Sequence, residues 1–318
     1  MNWYLVKLTF KSPLHIGDDE SGIGVENVQS IIHSDTIFSA LVNAASLMNN
    51  GSVDFLLQGN FRISSAFPYD DKNNYYLPRP FLPLPASFGR HSKEVKECEF
   101  LQEEDFRAWI EGKLNEVNVM DAVFRSSKTS RILTLNVRPR NASDRQTSST
   151  ALYHCGEVVF EKGCGLYFIL ETDENGKEQF REIFNTLTTL GLGGERSSGY
   201  GRFSYEMTGP VDLERRWKEI RNSEGEFSCL LSLWYPEEAE QINTGAYKTV
   251  LRKGWIFSAS SAKQMKRKTL RMFREGSIFG NQPVGKLVDV TPSGFDHKVY
   301  RWGKALSVKM KCGEPGQC

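Results

Sequence analysis

The thirteen residues GLGGERSSGYGRF, Gly191 to Phe203, constrain this chain more than any other stretch. Five are glycine, at positions 191, 193, 194, 199 and 201. A chain gives up side chains in this way where its backbone turns sharply or where something lies close against it. The stretch also sits at a defined junction. Before it, Glu178 to Leu190 sets Phe180, Ile183, Phe184, Leu187 and Leu190 on one helical face, and Gly191 stands where a C-cap glycine belongs. After it, Tyr200 to Met207 reads as a strand. Two nucleotide-binding readings fail here. A P-loop needs Lys and Ser or Thr where Tyr200 and Gly201 stand; a dinucleotide fingerprint needs glycine where Arg196 stands, and the opposite order of elements. A helix cap with a tight turn accounts for Gly191 and one further glycine, but not for five. Glycine-rich turns present backbone N–H groups to anions, Arg196 and Arg202 add charge, and Ser197 and Ser198 add donors. The expectation is a loop that contacts RNA or phosphate, with Gly193 and Gly194 admitting close backbone approach. Gly194→Val should then harm RNA binding more than folding.

The rest of the chain arranges itself around that junction. Trp3 to Phe10 alternates like a strand, and a glycine-bearing loop runs from His15 to Gly24. HSDTIFSALVNAASLMNN, from His33, reads as a helix capped by Ser34 or Asp35. Phe61 to Phe67 is a second strand. The proline-rich YLPRPFLPLP, Tyr76 to Pro85, is expected as an extended strap across the surface, and its PxxP (Pro80 to Pro83) as internal or subunit-facing rather than an SH3 ligand. Residues 93–119 look like an acidic, partly helical insertion. Arg131 to Phe160 reads as a hairpin with a long basic tip, and Gly165 to Glu171 as an apolar strand. The order is close to βαββαβ with a hairpin grown from its middle, a ferredoxin-like or RRM-like module. Residues 207–226 read as a linker. Strand candidates at Phe227–Tyr235, Thr249–Ala259, Lys286–Val290 and Lys304–Lys309 make a second, β-rich module. The class is α+β, divided into residues 1–208 and 209–318.

Net charge is only +1 over 318 residues, but it is segregated. Residues 248–311 hold fifteen Lys/Arg against Glu275, Asp289 and Asp296, a net of +12. Residues 125–145 hold six against Asp144, whereas residues 93–121 hold nine acids against four bases. Such segregation suits a polyanion on one surface and another partner elsewhere. The six cysteines form no CxxC pair and the five histidines have no ligand spacing, so reduced thiols and no metal or other cofactor are expected. The N-terminus is no signal peptide and no apolar run reaches membrane length, which suits a cytoplasmic protein.

On its helix-to-strand junction, GLGGERSSGYGRF resembles the glycine-rich loop of the RAMP superfamily of CRISPR-associated RNA-binding proteins. HSDTIFSALV, AFPY followed by FLPLP, and REGSIF followed by GKLVDVTP narrow the resemblance, in order from Ser34 to Pro292. The set is similar to the subunits that hold the crRNA 5′ handle in type III-A (Csm) effector complexes. That resemblance implies two ferredoxin-like modules facing across a cleft and a thumb hairpin at about 131–153 that kinks the RNA. It also implies a non-catalytic role in self versus non-self discrimination. The implied partners are the crRNA, a large polymerase-like signalling subunit and a backbone RAMP subunit, with no membrane. The implied RNA contacts are His15, Gly17, Ser34, Ser277, the hairpin arginines Arg138, Arg140 and Arg145, and the loop residues Gly191, Gly193, Gly194, Arg196, Ser197, Ser198, Gly199, Tyr200, Gly201 and Arg202.

Other readings stay open. Some relatives are metal-independent ribonucleases that use a histidine on the 2′-OH, and His15 would be that group here. A pure protein scaffold would have no RNA affinity alone. Asp18, Asp19 and Glu20 are adjacent in sequence and cannot all face one ion, so a solvated loop is expected. The basic run KQMKRKTLRMFRE, Lys263 to Glu275, fits RNA backbone or a docking partner equally. Trp234, Trp255 and Tyr247 are assigned to the core, with base stacking as the alternative.

Overall fold

The computed structural model describes residues 1–18, 25–48, 51–82, 92–114, 116–127, 131–143, 150–210, 214–240, 242–243, 245–258 and 261–311. In chain order the elements are β1 (Asn2–Phe10), α1 (Ser34–Ser46), α2 (Ser52–Gln58), β2 (Arg62–Ile63), β3 (Phe67–Tyr69), β4 (Tyr76–Pro78), α3 (Ser92–Glu97), β5 (Phe100–Gln102), α4 (Glu103–Ile110) and α5 (Glu116–Ser126). Then come β6 (Leu133–Ser143), β7 (Thr150–Phe160), β8 (Gly165–Thr172), α6 (Glu174–Leu190), β9 (Phe203–Thr208) and α7 (Arg215–Arg221). The C-terminal half holds β10 (Phe227–Leu230), β11 (Thr249–Arg252), β12 (Leu270–Phe273), β13 (Ile278–Phe279), β14 (Leu287–Asp289), β15 (Tyr300–Trp302) and β16 (Ser307–Met310).

The N-terminal sheet is antiparallel in the order β2–β8–β1–β9, with β3 also on β8. β1 lies at its centre, Leu5 facing Ile169 on one side and Thr208 on the other. Trp3, Tyr4, Leu5 and Val6 are all buried because both faces of the sheet are covered. Tyr4, Val6 and Leu8 pack under α1, α2 and α6 with Phe180, Phe184 and Leu187. Trp3 and Leu5 face Phe106, Trp109, Trp217, Leu231, Val308 and Met310. The acidic stretch 93–121 is therefore helical, as α3 to α5, and it roofs one face of the sheet.

The C-terminal half departs from the second ferredoxin-like module expected. Among the described residues from 223 to 311 there is no helix. Instead a sheet of order β13–β10–β16 and the ribbons β11–β12 and β14–β15 pack back on the N-terminal half. The two halves share a core, so the opening between them is a local groove rather than a cleft along their length. Trp302 lies flat on Phe61, ring centroids 4.5 Å apart at 10°, and 5.0 Å from Phe38. Fully burying a side chain of that size contributes about 3 kcal/mol.

The start of α1 is the dock between the halves. His33 is the N-cap and makes no side-chain cap bond, and neither Ser34 nor Asp35 caps the helix. All three side chains are spent on the C-terminal half instead. His33 Nδ1 lies 2.8 Å from Glu275 Oε1, and Ser34 Oγ accepts the Leu233 N–H at 3.1 Å. Asp35 accepts two bonds from Arg252, each at 3.0 Å, and a further one from Arg301. Burial alone would raise the Asp35 carboxyl, but the two guanidinium groups hold it well below the usual carboxylate range.

The first part of the proline strap, Tyr76 to Pro80, is likewise buried, while residues 83–85, with the end of the PxxP, lie outside the described residues. Tyr76 to Pro78 is β4, buried and paired with β5. Proline is tolerated there because the ribbon has only two strands, so a free edge remains. Cys98, Cys155, Cys164 and Cys229 carry free thiols. Among the described residues no helix is long and apolar enough to cross a membrane.

Candidate nucleic-acid interface

α6 ends as its sequence requires. The Asp173 carboxylate accepts the Gly176 N–H at 2.7 Å at its start, and at its end Gly191, φ 77°, turns the chain out. The glycine stretch then folds back on itself. Leu192 N–H donates to the Gly201 carbonyl at 2.9 Å and closes a neck. Gly201 N–H donates to Pro13 O and Gly194 N–H to His15 O, both at 2.8 Å. What lies against the neck glycines is therefore the chain's own Pro13–His15 segment, not a ligand. A Cβ on Gly201, φ +69°, would stand 1.8 Å from Leu192 O, and one on Gly193, φ +83°, would stand 2.4 Å from His15 O. A Cβ on Gly194 would meet the His15 ring at 2.8 Å, so Gly194→Val displaces His15 as well as filling the loop. This replaces the expectation that Gly193 and Gly194 leave room for RNA.

The tip of the loop, Arg196 to Gly199, is different. Ser197 and Ser198 are exposed and a Cβ on Gly199 would meet nothing within 4 Å. Glu195 holds a left-handed φ of 54°. Its carboxylate accepts from Arg140 Nη1 of β6 at 3.0 Å, tying loop to hairpin. Arg140 also lies over the Tyr200 ring at 4.6 Å. Tyr200 is not a contact group. It is buried, and its hydroxyl donates to Glu157 Oε2 at 2.6 Å. Burial, with that carboxylate, pushes the phenol pKa up.

The remaining predicted residues separate in the same way. His15 is buried with Nδ1 2.8 Å from the Gly156 carbonyl. A carbonyl only accepts, so Nδ1 carries a proton. Gly17 bridges to Val28 and lines the groove described below. Ser34 and Ser277 are both fully buried, Ser277 Oγ accepting the Lys248 N–H at 3.2 Å, and neither reaches a surface. Arg202 is exposed beside the neck. The hairpin pairs without a break from Leu133↔Phe160 to Ser143↔Thr150, within the Arg131 to Phe160 stretch expected. Arg138 is exposed on it; Arg145 lies outside the described residues, as do Asp19 and Glu20.

Between the loop tip and the C-terminal half runs a groove of about 400 Å³. α1 forms its floor with Thr36, Ser39, Ala40 and Asn43. His15, Gly17, Gly193, Gly194 and Arg196 form one wall; Lys253, Trp255, Phe257 and Arg267 form the other, with Arg252 and Arg301 at the base. Among the described residues five cationic side chains line this groove and no carboxylate does. Two of the five, Arg252 and Arg301, share the single Asp35 carboxylate beneath, and Arg196, Lys253 and Arg267 line its edge. Burial lowers the Arg196 pKa. Its guanidinium lies over the Phe257 ring at 4.5 Å, with no carboxylate partner among the described residues.

This second wall was only partly foreseen in sequence: Trp255 and the basic run were left open as RNA contacts, while Lys253 and Phe257 were not singled out. Trp255 is 60% exposed, whereas Trp234 is in the core. Tyr247 is half-exposed and packs edge-on against Phe273 at 5.2 Å. The basic run divides: Lys266 lies over the Trp255 ring at 5.2 Å and Arg267 Nη1 donates to Ser39 Oγ at 3.1 Å, while Lys263 pairs with Asp296 away from the groove. The available signal was an aromatic at i and i+2 next to that run.

Two family models match the chain, one described as the RAMP superfamily over residues 7–204 and one as the CRISPR Csm4 C-terminal domain over residues 223–310. The CRISPR system Cms protein Csm4 of Streptococcus thermophilus is 28% identical over 335 residues, 98% of this chain and 100% of its own length. The protein of that name from Methanocaldococcus jannaschii is 24% identical over 372 residues, 96% of each. A chain in the crystal structure of a Csm3–Csm4 subcomplex of the type III-A CRISPR-Cas interference complex superposes with a TM-score of 0.66 at 19% identity, covering 98% of this chain and 100% of that one. A chain in a Csm1–Csm4 cassette bound to cA4 gives 0.61 at 19% identity, covering 99% and 100%. At those identities the structures speak for the fold alone.

Proposed function

The chain belongs to the RAMP superfamily, and on that premise we propose that it is a non-catalytic RNA-binding subunit of a type III-A CRISPR effector complex that anchors the crRNA 5′ handle. The observation that carries this reading is the groove: cationic at its edge, lined by no carboxylate among the described residues and placed between the glycine loop and two exposed aromatics. Single-stranded RNA suits it, with phosphates on Arg196, Lys253 and Arg267 and bases splayed toward Trp255. The first unit, residues 1–208, reads as ferredoxin-like because its sheet runs last, first, third, second strand with α1 and α6 together on one face. The second, 209–318, reads as the β-rich half that completes the groove. The β6–β7 hairpin reads as the thumb. The large signalling subunit and the backbone subunit are proposed as partners, because relatives of this fold occur in Csm1–Csm4 and Csm3–Csm4 assemblies. Such an assembly works in the cytoplasm, where transcripts are told from self RNA.

The second reading keeps His15 as a ribonuclease general base, since Nε2 has no hydrogen-bond partner among the described residues. One experiment separates the two. Repeat RNA is titrated with the full chain in EDTA across a salt series, and the products are run on a denaturing gel. Intact RNA is expected, with log affinity falling by about 0.7 per phosphate contact per log unit of salt. Cleavage lost on His15→Ala would establish the ribonuclease, and no affinity at all would leave a protein scaffold.

The Arg140–Glu195 pair yields a prediction of opposite signs. Arg140→Ala leaves an unpaired carboxylate in the loop and should weaken RNA binding on the order of tenfold, making the salt slope shallower. Glu195→Ala removes a negative charge and releases Arg140, so it should tighten binding. Equal losses in both variants would show that the pair only holds the loop's shape.

A further inference from the structure

Trp255 and Phe257 stand on the same side of an extended segment. Ile256 between them is buried in a small apolar cluster with Val290 and Val299, so the residues on either side point outward, at 60% and 57% exposure. Residue 255 is bridged to Lys266, and Ile256 N–H donates to Met265 O at 2.9 Å, which fixes the segment as extended. Side chains at i and i+2 of such a segment are roughly 6.6 Å apart. That is close to twice the ~3.4 Å thickness of a stacked base. Large rings left more than half exposed in this way contribute little to the core. Each has a cation over it, Lys266 on Trp255 and Arg196 on Phe257, held where a phosphate would flank a stacked base.

We propose that Trp255 and Phe257 form a clamp that takes one unpaired nucleobase between their rings, with Arg196 and Lys266 on the flanking phosphates. The inference rests on the RNA-binding reading above and deepens it. Grip through ring faces is tolerant of base identity, because every base has a π-face. The clamp therefore reads that a base is present and unpaired, not which base it is.

The chain carries its own reporter. Of its six tryptophans, Trp3, Trp109, Trp217, Trp234 and Trp302 are buried, and Trp255 alone is exposed. Fluorescence excited at the red edge and quenchable by acrylamide therefore comes from Trp255. Titration with single-stranded repeat RNA is expected to abolish that quenchable fraction, and an RNA abasic at the clamped position should bind without doing so. Trp255→Ala and Phe257→Ala should each weaken RNA about tenfold at an unchanged salt slope, because stacking and not phosphate contact is lost; Trp255→Phe should restore most of the affinity. RNA that binds, by filter retention, while Trp255 stays quenchable and both alanine variants bind normally would overturn the clamp and leave the RNA reading standing. Failure of the parent chain to retain any RNA would overturn both.

Discussion

Asp35→Asn is expected to cost the chain about 3–5 kcal/mol, more than any other single change at the junction of its halves. The side chain keeps its volume, so no cavity forms. What is lost is the carboxylate charge that Arg252 and Arg301 share at 4% and 2% exposure. Two buried guanidinium groups then lose the carboxylate they share, and the weaker compensation of buried charge is where the free energy goes. A urea melt of the full chain should show a lower midpoint with an unchanged slope. Adding Arg252→Met and Arg301→Met should recover most of the loss, since a buried ion cluster replaced whole by apolar groups is often neutral. A loss below about 1 kcal/mol in the single variant would show that the cluster does not hold the halves together. The pH behaviour follows from the depressed carboxyl. Unfolded, Asp35 titrates near 3.9. Its contribution is fully present above that value and is lost only as pH falls below it toward the folded-state pKa.

That cluster also shows what a lone sequence conceals. HSD at 33–35 looks like a helix cap, because Ser and Asp before an apolar periodic run usually are one. Here the groups that would satisfy those side chains come from residues 233, 252, 275 and 301, some two hundred positions away. No local pattern carries such a pairing. The helix itself was legible, because Ile37, Phe38, Leu41, Ala44 and Ala45 repeat at helical spacing and all are buried. α6 and its glycine stop were legible for the same reason. The C-terminal strands were only partly so. β10, β11 and β14 fall inside the expected stretches and β16 overruns its own by one residue, but β12, inside the basic run, was missed because its inward side chains are so few: Met272 is its one buried residue.

The candidate site divides along similar lines. Charge segregation was visible, and Arg196 and His15 do line the groove. Ser34 and Ser277 were not recognisable as buried, since a serine that ends a backbone ladder inside the protein looks in sequence like one that meets a ligand. Trp255 was assigned to the core on composition alone; only the extended backbone on either side of buried Ile256 shows that it cannot turn inward.

Gly201→Ala and Gly199→Ala should separate the structural neck of the loop from its tip. At Gly201 a methyl group would stand 1.8 Å from the Leu192 carbonyl oxygen, backbone against backbone, at φ +69°. Neither side yields without breaking the Leu192–Gly201 bond and the Gly201–Pro13 bond, each a buried backbone pair. Conformational strain of about 1–3 kcal/mol and the stranded polar groups at about 1–3 kcal/mol each give an expected loss of about 4 kcal/mol or more. RNA affinity should fall with it, because the His15 segment and Arg196 move as the neck opens. At Gly199 the same methyl group points into open space, and only the left-handed backbone, φ +88°, objects. The cost there should be about 1–2 kcal/mol, with RNA affinity held within about threefold. Urea melts and filter binding on both variants make the comparison. If Gly199→Ala lost RNA binding while staying folded, a ligand would lie on the tip backbone itself. If Gly201→Ala stayed stable, the neck would be looser than its hydrogen bonds require, and the glycines would have to be explained by what binds there.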